Sequence, residues 1–294
     1  MLSVQNVNFC QDRFLFNKQK KNNEIPVPLS DKQLIEHSLY NIPFKGIFST
    51  RNKKEKSLLL PERVQIIRMF GYNQSDAWAH DLLNLTYETS KDVKNNLGFN
   101  FLTKKLRFNL LGIKRKYNIV SSGTINGLTE VNKYAKGREY LQKYFERYDA
   151  KKDNNGSYSP KSNSEYPDAN VCKIRNYSPN SLLVTNGSIY DHGVSNLALA
   201  KKEYEKLKSA DNPKLEDITH SIATIHWLIA QETPYKDLNG LTADILSRAI
   251  YHAYNVKTYP LKENTSLEFE AYYSDLDDYI KNYPNYFEKP PEMQ

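Results

Sequence analysis

Glycine is scarce in this sequence, with 11 among 294 residues, and cysteine is scarcer, with two. Little glycine disfavours a large β-protein built on glycine turns, and it disfavours a glycine-rich phosphate loop. Cys10 and Cys172 belong to no Cys-x-x-Cys pair, so neither a disulfide scaffold nor a zinc site is supported, and a reducing compartment fits. No run reaches the ~20 apolar residues that a membrane-spanning helix needs. The start, Met1-Leu2-Ser3-Val4-Gln5, has neither a secretory apolar region nor the glycine that N-myristoylation requires. The zinc signature His-Glu-x-x-His and the nucleophile elbow Gly-x-Ser-x-Gly are missing too.

What is present suits a globular, mainly helical protein. Hydrophobic residues make up 39% and charged residues 26%, enough to bury a core and too balanced for wholesale disorder. Tyrosine is heavily used, at 22 residues. The net charge of +7 reads either as a solvated lysine-rich surface or as attraction to anionic partners: nucleotides, acidic proteins or a membrane surface. Nothing resembles a nucleic-acid recognition motif, so nucleic acid is not an expected partner.

Along the chain, residues 1–57 read as an irregular arm, with a basic run at Lys18–Asn23 and a short helix possible near Ser30–Ser38. Residues 58–120 read as a helical subdomain, with a helix start at Pro61, a second helix after Ser75-Asp76, and a strongly basic helix over Lys104–Tyr117 whose charges form a solvated face. Residues 121–294 read as the core. Leu128–Tyr148 scans as an amphipathic helix, and Lys151–Pro167 as an exposed loop. Residues 171–190 hold a small hairpin, with Asn186-Gly187 as its turn signal. Ile218, Ile222, Ile225 and Ile229 mark the clearest helix, Asp217–Glu232, and Leu241–Tyr254 is the next. A polar helix near Leu267–Tyr283 closes the chain. His220 and His252 lack metal-ligand spacing and carry no assigned role.

Between the two best helices lies Thr233-Pro234-Tyr235-Lys236-Asp237-Leu238-Asn239-Gly240-Leu241, a loop that opens a helix. Free backbone N–H groups and the dipole at such a start favour an anion, and Asn239-Gly240 allows close approach; a plain connection between helices reads the same way. Asp237 is suited to hold Mg²⁺ on a phosphate or to cap the helix. Arg248, on the inner face of the second helix, calls for an anionic partner, either an internal carboxylate or a phosphate. His226 beside Trp227 reads as a packed core histidine. Asp191-His192 suits an oriented imidazole or a solvent-facing turn.

The loop resembles a degenerate Fic motif, His-Pro-Phe-x-Asp/Glu-Gly-Asn-Gly-Arg-x-x-Arg. Pro234, Asp237, Asn239 and Gly240 match, Tyr235 stands for Phe, and Thr233, Leu238, Leu241 and Asp244 replace the base, a glycine and both clamping arginines. Ser122–Gly127, with Thr124, resembles the family's inhibitory helix, and Lys173-Ile174-Arg175 with Leu182–Thr185 resembles its flap. Ile225-His226-Trp227, Arg248-Ala249-Ile250, Asn255–Pro260 and Asp191-His192 resemble segments of the AvrB effectors, themselves poor in that signature.

The resemblance implies a Fic-like (Fido) helical core with a hairpin flap, and a secreted bacterial effector acting in a host cytoplasm. It implies a transferase that moves a sugar from a nucleotide-sugar onto Ser or Thr of a host protein. Arg248, His192 and Thr124 would be catalytic; Thr233, Asp237, Asn239, Gly240 and Arg175 would bind nucleotide or phosphate, with Mg²⁺ at Asp237. The alternatives are a silent nucleotide- or protein-binding module, and an AMP transferase with non-standard residues. The last is disfavoured because Thr233 cannot serve as a general base near neutral pH.

Overall fold

The computed structural model describes residues 76–117, 128–133, 141–187, 195–235 and 238–294. The expectations for residues 1–75, including the helices near Ser30 and Pro61, lie outside the described residues.

Helix α5 (Leu215–Glu232) organises the rest. Its isoleucines recur at helical spacing, but the polar positions between them are buried too, so it is enclosed on nearly all sides. The Asp217 carboxylate accepts the Lys214 N–H at 3.1 Å and fixes its start. Against it pack α4 (Asn196–Ser209) and α6 (Asn239–Ala253). Helix α1 (Asp76–Lys94) covers the outer side of α6, and α2 (Phe99–Lys116) lies against α1, α6 and α4.

The C-terminal stretch closes over α5 as α7 (Leu267–Tyr272), α8 (Leu276–Asn282) and a 3₁₀ turn, Tyr283–Tyr286. Sequence reading gives one polar helix here; the structure breaks it in two at Tyr273–Asp275 and buries Phe269, Tyr272, Tyr273, Tyr279 and Tyr283. The Trp227 indole N–H donates to the Ser274 carbonyl at 2.9 Å across that break. A tyrosine-rich segment is amphipathic residue by residue, with an apolar ring and a polar tip, so it is buried where charge content suggests exposure.

A four-stranded antiparallel sheet in the order β1-β4-β3-β2 flanks the bundle. Its strands are β1 (Leu128–Asn132), β2 (Ser157–Tyr158), β3 (Lys173–Ser178) and β4 (Ser181–Thr185). Three sequence expectations are corrected here. Leu128–Asn132 is a strand paired with β4, and of the expected helix the part from Gln142 to Tyr148 is helical, within α3 (Gln142–Lys151). The hairpin turn falls at Pro179-Asn180, between β3 and β4. Gly187 instead allows close packing: a Cβ there would come within 2.7 Å of the Asn170 carbonyl carbon. The stretch expected as an exposed loop contributes β2 and the buried Tyr166, and its Lys161 carbonyl accepts from the Leu276 N–H at 2.9 Å. Strands β5 (Val256–Lys257) and β6 (Glu292–Met293) tie the end of the chain to the end of α6. No helix among the described residues is long and apolar enough to cross a membrane.

Candidate functional site

Helix α5 ends at Glu232, and the chain turns back through Thr233–Leu238 into α6. The turn is pinned from both ends. Asn239 Oδ1 accepts the Tyr235 N–H at 2.9 Å, and Asn239 Nδ2 donates to the Tyr235 carbonyl at 2.7 Å. Thr242 donates its N–H (2.9 Å) and its hydroxyl (2.7 Å) to the Leu238 carbonyl. Asn239 thus spends its amide on holding the loop.

Six non-glycine residues among those described have positive φ. Four are asparagines, which tolerate the left-handed region. The other two are Thr233 (φ 42) and Leu238 (φ 59), at the two ends of this one loop. Thr233 is β-branched, 4% exposed, and its hydroxyl has no hydrogen-bond partner. Each departure costs on the order of 1–3 kcal/mol and persists only where the surroundings enforce it.

The first turn of α6 has no acidic residue of its own. A carboxylate from α7 takes that position. A Cβ on Gly240 would lie 2.7 Å from Glu268 Oε2 and 2.9 Å from Cδ, so the acid rests directly on the glycine. The Tyr272 hydroxyl donates to Glu268 Oε1 at 3.1 Å and steadies it. Glu268 therefore provides the negative charge that the helix start favours, and glycine is what gives it room. Sequence reasoning missed Glu268, because 28 residues separate it from Gly240 and no local pattern links them.

Arg248 begins eight residues beyond Gly240, about 12 Å along the axis and roughly 80° around it. It is 2% exposed and shares a face with Asp244, one turn earlier. Its charge and that of Asp244 both bear on the Tyr283 hydroxyl, which burial holds far above its ordinary range. His226 is fully buried, as its reading as a core residue expects. Its Nε2 lies 3.0 Å from Asp244 Oδ1 and its Nδ1 3.0 Å from the Tyr279 hydroxyl, which also faces the Leu267 carbonyl at 3.3 Å. Asp244, at a clamping-arginine position of the motif, thus joins α6 to α5 through an imidazole.

Thr124, His192 and Asp237 lie outside the described residues. Arg175 is on β3, opposite Leu183 of β4 and Ser157 of β2, and it is exposed on the sheet. Among the described residues, no group of three or more His, Cys, Asp and Glu could hold a metal ion. Of the charges read as a solvated face on the basic helix, Arg107 is half-buried: it stacks over Tyr235, with its guanidinium carbon 4.3 Å from the ring centre, and so braces the loop from α2. Two surface hollows, one lined by Lys133, Tyr148 and Asn176 and one by Lys94, Asn96 and Tyr254, include none of these residues.

Buried carboxylates hold the frame around the corner. Glu232 accepts from the Ser195 hydroxyl and the Leu197 N–H, both at 2.9 Å, and so caps α4. Glu270 of α7 meets Arg147 at 2.5 Å, Tyr144 at 2.8 Å and Lys143 at 3.0 Å. Burial raises its carboxyl pKa, but the Arg147 and Lys143 charges and the hydrogen bonds from Arg147 and Tyr144 outweigh this and hold it below the usual range. Glu203 accepts from Tyr166 and from Ser221 (2.6 Å). Burial pushes it upward, yet His220 at 3.9 Å, the hydrogen bonds from Ser221 and Tyr166, and Lys206 nearby bring it down to about 2.

A helical core whose central hairpin turns through a strained loop against an internal carboxylate is the class of protein that the coordinates define. Residues 170–290 match the AvrB_AvrC family, described as avirulence protein. The matched stretch runs from the approach to β3 through α5, the strained loop and α6 to the closing 3₁₀ turn. No curated protein matches the chain.

Proposed function

We propose that this chain is a bacterial effector of the avirulence type, delivered into a host cell to act on a host protein, and that the turn between α5 and α6 is its working part. The observation that carries this is the concentration of strain there. Thr233 and Leu238 break local backbone rules at both ends of one loop, inside the stretch similar to avirulence proteins. Backbone strain held in place by its surroundings gathers at functional sites.

The finer reading is transfer of a sugar from a nucleotide-sugar onto Ser or Thr of the host protein. It is supported by the resemblance and by the start of α6, where backbone N–H groups of the first turn suit a diphosphate. A sugar donor is already activated, so a strong base matters less and Thr233 is tolerable where AMP transfer needs a histidine. The reading carries one requirement: the Glu268 carboxylate has to leave Gly240 before a diphosphate arrives, because two anions do not share one helix start. The second reading is a silent module acting by occupancy. It is favoured by Glu268 in that position and by Asn239 being committed to Tyr235.

Thermal stabilisation by UDP- and dTDP-sugars, compared with ATP and with and without Mg²⁺, separates the two. Selective stabilisation by nucleotide-sugars supports transfer; no effect of any nucleotide favours occupancy.

A further inference from the structure

Helix α2 carries six basic residues and no acidic one over its 18 residues. Its inner face, with Phe99, Leu102, Leu106 and Leu110, is buried against the bundle. Its outer face should then be polar. Instead it presents Phe101, 62% exposed, and Phe108, 78% exposed, seven residues apart and hence on one line along the helix. Lys104, Lys105, Arg115 and Lys116 alternate with them on the same face and are exposed. Lys105 and Lys116 are tied sideways to Asp92 and Asp81, both at 2.7 Å, which keeps them beside the aromatic line.

We propose that this face of α2 docks the protein on an anionic lipid surface, with Phe101 and Phe108 entering the headgroup region and the basic residues meeting lipid phosphates and carboxylates. Charge selects the partner: Lys105 and Lys116 are paired with acidic residues of α1, and Lys104 and Arg115 give the face its exposed positive charge, which is repelled by basic surfaces and drawn to acidic ones. Shape selects between a membrane and an acidic protein. The two phenylalanines project from the side of α2 turned away from its contacts with α1, α4 and α6. A protein partner needs a matching groove, whereas a bilayer interface conforms to projecting side chains and accepts aromatic rings beside basic chains.

The test is co-sedimentation of the full chain with vesicles of phosphatidylcholine alone and of phosphatidylcholine with a quarter phosphatidylserine, in physiological salt. Binding is expected only to the second. Since each basic residue near such a surface is worth about fivefold, the double variant Lys104→Glu/Arg115→Glu should lose about twentyfold or more. Phe101→Ser/Phe108→Ser should lose about tenfold or more with every charge retained. These side chains are exposed, so melting curves should be unchanged. Lys201→Glu/Lys202→Glu, an equal charge change on the exposed side of α4, should bind nearly as the parent does. Four results overturn the proposal: no binding to the anionic vesicles, equal loss in the α4 variant, no loss in the phenylalanine variant, or light scattering that finds a dimer broken by the same phenylalanine changes.

Discussion

Glu268→Gln keeps the size of the side chain and removes its charge, and it should move two quantities in opposite directions. Without ligand, the start of α6 loses the anion resting on Gly240. A partly buried carboxylate at a helix start is worth about 1 kcal/mol, so the melting temperature should fall by roughly 2 °C. With ligand, the same change removes a repulsion. Two unit charges about 4 Å apart repel by ~4 kcal/mol at an effective dielectric of ~20, which sets the upper scale of the repulsion that a phosphate on the first-turn N–H groups would meet. That corresponds to as much as a thousandfold in affinity. Titration calorimetry of the parent and of the glutamine variant with UDP and with pyrophosphate reads it directly. Unchanged affinity in the variant, or a melting temperature that rises, would refute the assignment of Glu268 as the occupant of an anion seat.

Three further outcomes follow from the same geometry. Thr233→Gly should leave stability unchanged or raise it by about 1 kcal/mol, since glycine accepts φ 42 and removes a buried unbonded hydroxyl; a loss near 2 kcal/mol in denaturant titration would mean the loop is relaxed. His226→Phe should cost about 3 kcal/mol by leaving Asp244 and Tyr279 without their shared partner in the core, and a loss under 1 kcal/mol would rule that network out as a support. Glu203 titrates near 2 when folded against an ordinary 4.5, so the protons it takes up on unfolding make the protein acid-labile. Its contribution, about 3 kcal/mol by linkage, is complete above pH 4.5 and is lost as the pH falls toward 2. Glu203→Gln should flatten stability over that interval, and an unchanged slope would contradict the depressed value.

Elements whose burial follows one face were legible in the sequence. The isoleucine spacing of Ile218–Ile229 and the apolar face of Leu241–Ala249 marked α5 and α6 within two residues of their bounds. The loop between them was legible as a helix start facing inward. What was hidden depends on partners far along the chain. Leu128 and Val131 fit a helix as well as a strand, and β4 decides the matter from some fifty residues away. Asn186-Gly187 carries a turn signal, but its glycine answers to the Asn170 backbone. Asp244 and His226 lie 18 residues apart on different helices, and Glu268 reaches Gly240 from the far side of β5. Arg107 is one charge among six in its helix, and only the fold sets Tyr235 beneath it.

Intact-protein mass spectrometry of a host lysate incubated with the chain and UDP- or dTDP-sugars tests most directly whether the α5–α6 corner acts on a host protein. Sugar transfer predicts a hexose or deoxyhexose increment on a host protein, stronger with Glu268→Gln than with the parent. No increment with either protein, across both donors, contradicts transfer.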